Sequence, residues 1–165
     1  SETDIVIGIA ASGSTPYTRA ALDEAQRSGA KTALISCHRV SDFDGPHLVV
    51  LETGAEVLPG STRLKAGTAT KLALNMISTG AMALAGYVYR GRMTSMKPVN
   101  DKLRARAVRI LCELTGAEPD SARTVLETAA WHLPAAIVMA TLQCPFDEAA
   151  TRLTHAGGRI RDALR

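Results

Sequence analysis

Ile5-Val6-Ile7-Gly8-Ile9-Ala10-Ala11-Ser12-Gly13-Ser14-Thr15-Pro16 is an apolar run that stops abruptly at a cluster of small hydroxylated residues and glycine. A helix signal follows at once: Thr15 suits the N-cap and Pro16 the first helical position. Strand, hydroxyl-rich loop and helix N-terminus together make an anion cradle. Backbone N–H groups point at the anion, the helix dipole favours negative charge, and the hydroxyls donate further bonds. Ser12, Gly13, Ser14 and Thr15 are therefore candidate ligands of a phosphate. A plain strand-to-helix turn would need only one of these hydroxyls.

Outward from this loop the chain reads as α/β. Ile5 to Ile9 is apolar on both faces, the pattern of a central parallel strand covered by helices. A helix from Pro16 to about Ser28 would turn Tyr17, Ala21, Leu22 and Ala25 toward a core, and Gly29 would stop it in a left-handed conformation. Thr32 to Ser36 is the next strand, completing a βαβ unit with a right-handed crossover. Leu48 to Leu51 is a third, after a loop from His38 to His47. From Thr62 to about Tyr87 the spacing predicts a long helix, apolar nearly all round and so buried, centrally or in a subunit interface. Three strands before Met93 make a small sheet with an apolar edge, which implies a missing N-terminal half or a partner that completes it.

Gly91 to Pro98 marks a boundary, giving an α/β domain over 1–95 and a helical subdomain over 96–165. The second should hold helices at Asp101–Leu114, Ser121–Ala130, Pro134–Leu142, Phe146–Thr154 and Gly158–Leu164, with Trp131 and Met139 in their core. His132 and His155 read as surface or capping groups.

Bulk properties restrict the function. With 165 residues, 46% hydrophobic and 21% charged, the chain is an ordinary globular protein. A net charge of +3 is weak support for a nucleic-acid partner, and Lys102, Arg104, Arg106 and Arg109 read as a solvated helix face. No apolar run approaches a membrane span. Cys37, Cys112 and Cys144 lack metal-ligand spacing and suggest reduced thiols in a cytosol. There is no Walker loop, dinucleotide fingerprint or metal cluster, so no cofactor or metal is expected.

In parallel sheets ligands lie beyond the carboxyl ends of strands, which directs attention to three loops: Ala11–Thr15, Ser36–Arg39 and Thr53–Lys65. In the third, Ser61 and Thr62 suit the N-terminus of the long helix, while Arg63 and Lys65 place cations where the dipole disfavours them, as a nearby anion would explain. Glu56 has three open roles: binding sugar hydroxyls, acid–base work if its pKa is raised, or anchoring a backbone turn. His38 is an imidazole with no nucleophile or triad beside it.

The segments Gly8-Ile9-Ala10-Ala11-Ser12-Gly13-Ser14-Thr15-Pro16-Tyr17 and Gly54-Ala55-Glu56-Val57, then Gly60-Ser61-Thr62-Arg63-Leu64-Lys65-Ala66-Gly67-Thr68-Ala69, resemble N-acetylmuramic acid 6-phosphate etherases of the sugar isomerase (SIS) superfamily. So do Lys71-Leu72, Leu74-Asn75-Met76-Ile77-Ser78-Thr79, Asn100-Asp101-Lys102-Leu103, Thr115-Gly116 and His155-Ala156-Gly157-Gly158. The resemblance implies a flavodoxin-like α/β/α SIS sandwich, incomplete at its N-terminus here, with a ubiquitin-associated-like helical tail. It implies a homodimer, or a partner chain supplying the missing half, acting in the cytoplasm without metal or cofactor. The implied reaction cleaves the lactyl ether of N-acetylmuramic acid 6-phosphate to N-acetylglucosamine 6-phosphate and D-lactate, by elimination across carbon 2 and carbon 3 and then addition of water. Substrate contacts would come from Ser12, Gly13, Ser14, Thr15, Glu56, Ser61, Thr62 and Lys65. The family's acid/base glutamates belong to a segment before the first strand seen here, so the catalytic residues are unknown in this chain. The loop Cys37-His38-Arg39-Val40-Ser41-Asp42 also lacks the Asn-Pro frequent in relatives. The alternative is a sugar-phosphate-binding module without chemistry, comparable to the glucokinase regulatory protein.

Overall fold

A computed structural model describes residues 1–165. The chain forms two compact units, Ser1–Ile77 and Ser78–Arg165.

The first unit holds strands β1 (Ile5–Ile9), β2 (Lys31–Ser36) and β3 (His47–Val50), with helix α1 (Pro16–Arg27) between the first two. All three strands are parallel in the order β1-β2-β3, Gly8 opposite Leu34 and Ile35 opposite Val49. Within this chain β1 is an edge strand and β2 the central one, so the sheet has the apolar edge that its small size implied.

Gly8 sets how α1 lies on the sheet. A Cβ on Gly8 would stand 2.6 Å from Leu22 Cδ1 and 2.8 Å from Thr18 Cγ2, so the helix rests directly on bare backbone. Leu22 is buried there, but Tyr17 is 84% exposed and Ala21 also faces solvent, contrary to the expected inward face. The opposite face of the sheet carries Ile5, Ile7, Ile9 and Val49, all exposed. Parallel sheets are normally covered on both faces.

Helix α2 runs from Lys65 to Leu84, shorter at both ends than expected. Its C-terminal limit follows from Gly86, whose φ of +88° takes the chain out of the helical region. Within this chain only Ala66 of α2 is buried, while Leu72, Met76, Met82 and Leu84 are exposed. The expected burial of the helix is therefore not met by this chain's own residues.

The second unit includes a hairpin that sequence reasoning missed: β4 (Val88–Tyr89) pairs antiparallel with β5 (Arg92–Met93). Arg90 and Gly91 between them both have positive φ, 45° and 75°, which is the geometry of the tightest hairpin turns. Five helices follow: α3 (Asp101–Thr115), α4 (Pro119–Thr128), α5 (Leu133–Leu142), α6 (Phe146–His155) and α7 (Ile160–Ala163). Asn100 caps α3 by accepting from the Leu103 N–H at 2.9 Å, and Gly116 ends it at φ +75°. Pro119 occupies the first turn of α4. That helix ends at Thr128 rather than Ala130, because Ala130 and Trp131 adopt φ of 48° and 62°. Gly158, at φ +79°, precedes α7 rather than starting it.

The core of this unit is aliphatic: Ala107, Leu111, Leu126, Leu133, Ala136, Ile137 and Val138 are all buried, with Met139 at its margin. Trp131 does not enter this core. It is half-buried, with the Arg104 guanidinium 4.9 Å from its ring centroid, a cation–π contact typical of a rim.

His132 performs the capping role expected of it. Its Nδ1 accepts from the Ala135 N–H at 3.3 Å at the start of α5. Loss of water around the ring lowers its pKa from the ordinary 6.5. The folded state then binds fewer protons than the unfolded one near pH 6. The contribution is complete above pH 6.5 and is lost as pH falls through the folded value. Thermal melts between pH 7 and pH 5 should show a larger loss of midpoint for the wild type than for His132→Asn, whose carbonyl can still accept. Equal losses in both proteins would remove His132 from the account.

Candidate functional site

The loops at the carboxyl ends of the three parallel strands converge in the first unit. Backbone bonds extend the ladder beyond the strands: Ala10 N–H donates to Ile35 O (3.1 Å), Cys37 N–H to Ala11 O (2.9 Å), and Leu51 N–H to Ser36 O (2.8 Å). Each loop therefore leaves the sheet from a fixed position. A cavity of about 300 Å³ lies among them, with Ala11, Cys37, His38, Gly54, Glu56 and Thr62 in its wall.

The loop after β1 is tightly built. Gly13 is buried with φ +74°, and a Cβ there would collide with Val40 Cγ2; only glycine fits both the conformation and the space. Its N–H donates to Ala10 O at 2.9 Å. Ser12 Oγ lies 2.9 Å from Ser14 Oγ and accepts from the Ser14 N–H at 3.3 Å. Ser12, Ser14 and Thr15 are exposed. Pro16 opens α1 as expected, but the Thr15 side chain makes no capping bond. The first turn of α1 thus receives no hydroxyl or carboxylate from its own N-cap residue.

The N-terminus of α2 is the opposite case. Glu56 Oε2 accepts from the Lys65 N–H and Oε1 from the Ala66 N–H, both at 2.9 Å. Of the roles open to Glu56, anchoring backbone is the one the geometry displays. The expected capping by Ser61 and Thr62 is replaced by a carboxylate from nine residues upstream. Those two backbone bonds, Ala66 first and Lys65 second, hold the Glu56 carboxyl below its usual pKa, with a smaller contribution from the Lys65 charge. The raised pKa that acid–base work would require is absent. The anion that accounts for Lys65 at a helix N-terminus is Glu56 itself.

Of the sequence-predicted ligands, Glu56 and Thr62 line the cavity. Ser12, Gly13, Ser14 and Thr15 follow Ala11 in the chain but do not line the cavity. Ser61 and Lys65 do not line it, although Lys65 Nζ lies 4.0 Å from where a Gly54 Cβ would stand. Sequence reasoning named the loop holding Cys37 without giving the thiol a role. Cys37 is buried, its Sγ 3.8 Å from Ala66 O and 4.0 Å from Thr70 Oγ1, joining the end of β2 to the first turns of α2. The legible signal was its position one residue past a buried parallel strand.

No single helix is long and apolar enough to cross a membrane.

The family model for a UBA-like domain matches residues 106–141, within α3 to α5. Full-length comparison finds proteins named N-acetylmuramic acid 6-phosphate etherase. The one from Bacillus cereus strain B4264 is 49% identical over 165 residues, covering 99% of this chain and 56% of the relative. That from Shouchella clausii is 49% identical over the same shares, and that from an Exiguobacterium species is 47% identical over 98% of this chain and 55% of the relative. The chain spans about half the length of the curated relatives it matches. It is a homologue of the N-acetylmuramic acid 6-phosphate etherases, matched along nearly its whole length to part of theirs.

Proposed function

We propose that this chain is part of an enzyme that cleaves the lactyl ether of N-acetylmuramic acid 6-phosphate, giving N-acetylglucosamine 6-phosphate and D-lactate in the recycling of cell-wall amino sugars. In this reading, residues 1–95 belong to a SIS-type α/β/α sugar-phosphate-binding domain and 96–165 form a ubiquitin-associated-like helical subdomain. The phosphate is held by Ser12, Gly13, Ser14 and Thr15, and the sugar lies along the cavity toward Glu56 and Thr62, with Ser61 and Lys65 at its margin. A base takes the proton from carbon 2, an acid protonates the departing lactate oxygen, and water then adds at carbon 3. Those acid and base groups belong to a segment that this chain does not include. The reaction is proposed to need no metal or cofactor.

The observation that carries this reading is the contrast between the N-termini of α1 and α2. The first turn of α1, beneath the Ser12–Thr15 hydroxyls, gets no bond from its N-cap side chain, whereas that of α2 is already filled by Glu56. An anion is therefore better accommodated at α1. Support for a larger assembly comes from the exposed edge of β1 and the uncovered Ile5, Ile7, Ile9 and Val49 face. We propose that a preceding segment, a homodimer partner or a second polypeptide covers them. The three free thiols favour a cytoplasmic setting. The alternative of a non-catalytic sugar-phosphate-binding module is favoured by one observation: the carboxylate in the cavity wall is committed to two backbone amides.

Calorimetry with N-acetylglucosamine 6-phosphate tests the anion site. Hydrogen bonds to a charged group contribute about 1.5–3 kcal/mol each, so the Ser12→Ala/Ser14→Ala double variant should bind at least about tenfold more weakly. Unchanged affinity in a folded variant removes the phosphate from this loop. Binding without turnover, even with the companion segment supplied, would select the non-catalytic alternative.

A further inference from the structure

The hydroxyl loop after β1 rests on the loop after β2. Ser36 Cβ stands 3.2 Å from where a Gly13 Cβ would be, and a Val40 methyl sits hard against the same point. Between those two residues the chain folds back, the Ser36 hydroxyl donating to His38 O. Beyond Val40 this second loop is tied to the first turn of α1 by Arg19. The Arg19 guanidinium donates to Asp42 Oδ1 at 2.6 Å and to Asp42 O at 3.4 Å, and lies 5.2 Å from the Phe43 ring centroid. The Phe43 ring in turn covers the bare backbone of Gly45, where a Cβ would collide with it. Only 18% of the Arg19 side chain is exposed, against 83% for Asp42. The Arg19 N–H also donates to Thr15 O at 3.0 Å. One residue therefore joins both loops, Thr15 through its backbone and Asp42 through its side chain.

We propose that Arg19 is a positioning residue for the Ser12–Thr15 loop. It pins the loop after β2 to α1, which keeps Val40 against Gly13 and so holds Ser12, Ser14 and Thr15 in one arrangement. Its own charge is satisfied by Asp42 and not by the ligand. This rests on the reading of Ser12–Thr15 as the phosphate loop. Glycine has the widest backbone freedom of any residue, so the φ of +74° at Gly13 needs support from outside its own loop. A loop already held in its binding geometry loses less freedom when an anion arrives. A planar guanidinium that meets a carboxylate, a carbonyl and a ring together is well suited to supply that rigidity.

The sign of one substitution separates positioning from direct attraction. Asp42→Ala removes a negative charge and frees Arg19, so on electrostatic grounds alone it should strengthen the binding of an anion. Positioning requires the reverse. Calorimetry of the full chain with N-acetylglucosamine 6-phosphate should show Asp42→Ala binding about threefold more weakly than the wild type. Arg19→Met should bind about tenfold more weakly, and Arg19→Lys, which still reaches the carboxylate, about threefold. Amide hydrogen exchange on the ligand-free chain reads the same link without any sugar. The Gly13 N–H, bonded to Ala10 O at 2.9 Å, should exchange at least about threefold faster in Asp42→Ala. The Ala10 N–H, bonded to Ile35 O at 3.1 Å, should keep its rate and show that the sheet is intact. Equal or stronger binding by Asp42→Ala, where the wild type binds, overturns the role of Arg19 alone. An unchanged Gly13 rate does the same. Exchange that quickens equally at Gly13 and Ala10 also overturns it, since Arg19 would then support the whole fold and not this loop. A wild type that binds no phosphosugar, with Gly13 exchange still responding to Asp42→Ala, removes the phosphate from the loop and leaves the link from Arg19 to Gly13 standing.

Discussion

Incubated with N-acetylmuramic acid 6-phosphate, the purified 165-residue chain is expected to release no detectable D-lactate. Eliminating the lactyl group requires a base at carbon 2 and an acid at the ether oxygen, and general acid–base help of this kind contributes about 100- to 10,000-fold in rate. The carboxylate in the cavity wall, Glu56, is poorly suited to either task. Its lone pairs are partly committed to the Lys65 and Ala66 amides, which hold its pKa down. A carboxylate in that state is a weakened base, and at neutral pH it has no proton to give. His38 shares the wall, but it is a single group where the proposed elimination uses two. Supplying the segment that precedes the corresponding region in a relative, in cis or as a second polypeptide, should restore release without metal or nucleotide. Robust lactate production by the chain alone would refute this, and would make Glu56 and His38 the first residues to replace.

Local signals in this chain were legible and pairings between distant residues were not. Ile5–Ile9 is found as a strand because β-branched residues state their preference within a few positions. Pro16 and Gly29 mark the limits of α1 for equally local reasons: a fixed φ at its start, and a φ of +84° at its end that side chains disfavour. The parallel pairing of β1 with β2 followed from the helix that joins them. The order of the strands did not follow, since the pattern of a strand records its preference for burial and not the identity of its neighbours. The cap of α2 was missed for a related reason. Capping boxes are read at a spacing of about three residues, whereas Glu56 reaches Lys65 and Ala66 across a glycine-containing loop. At the candidate site the loops could be named from sequence, and so could Glu56. That one oxygen serves each amide at the start of α2 required coordinates. The β4–β5 hairpin was missed because Arg90-Gly91 is not among the pairs that announce such turns, although both residues adopt the required positive φ.

Truncating Ile137 to alanine should destabilise the Ser78–Arg165 unit more than any other single aliphatic truncation named here. Helix α5 is apolar around its whole circumference, and Leu133, Ala135, Ala136, Ile137 and Val138 are each 0% exposed. A helix enclosed on every side gains its stability from packing rather than from an amphipathic face. Ala107, Ala122, Ala129 and Ala149 of the same core are small and fixed by backbone, so they cannot reach into a void. Ile137→Ala should therefore fall within the full cavity-forming range of about 2–5 kcal/mol. For a unit of this size each kcal/mol shifts the melting midpoint by about 4–8 °C, so a drop on the order of 10 °C or more is expected. Ala136→Leu, which adds volume to the same enclosed helix, should cost about 1–3 kcal/mol through overpacking. Val99 is 79% exposed, and Val99→Ala should stay within about 0.5 kcal/mol of the wild type. Differential scanning calorimetry of the three variants checks the order. If Ile137→Ala melts with Val99→Ala, the void is being filled, and α5 is not the rigid centre that its burial implies.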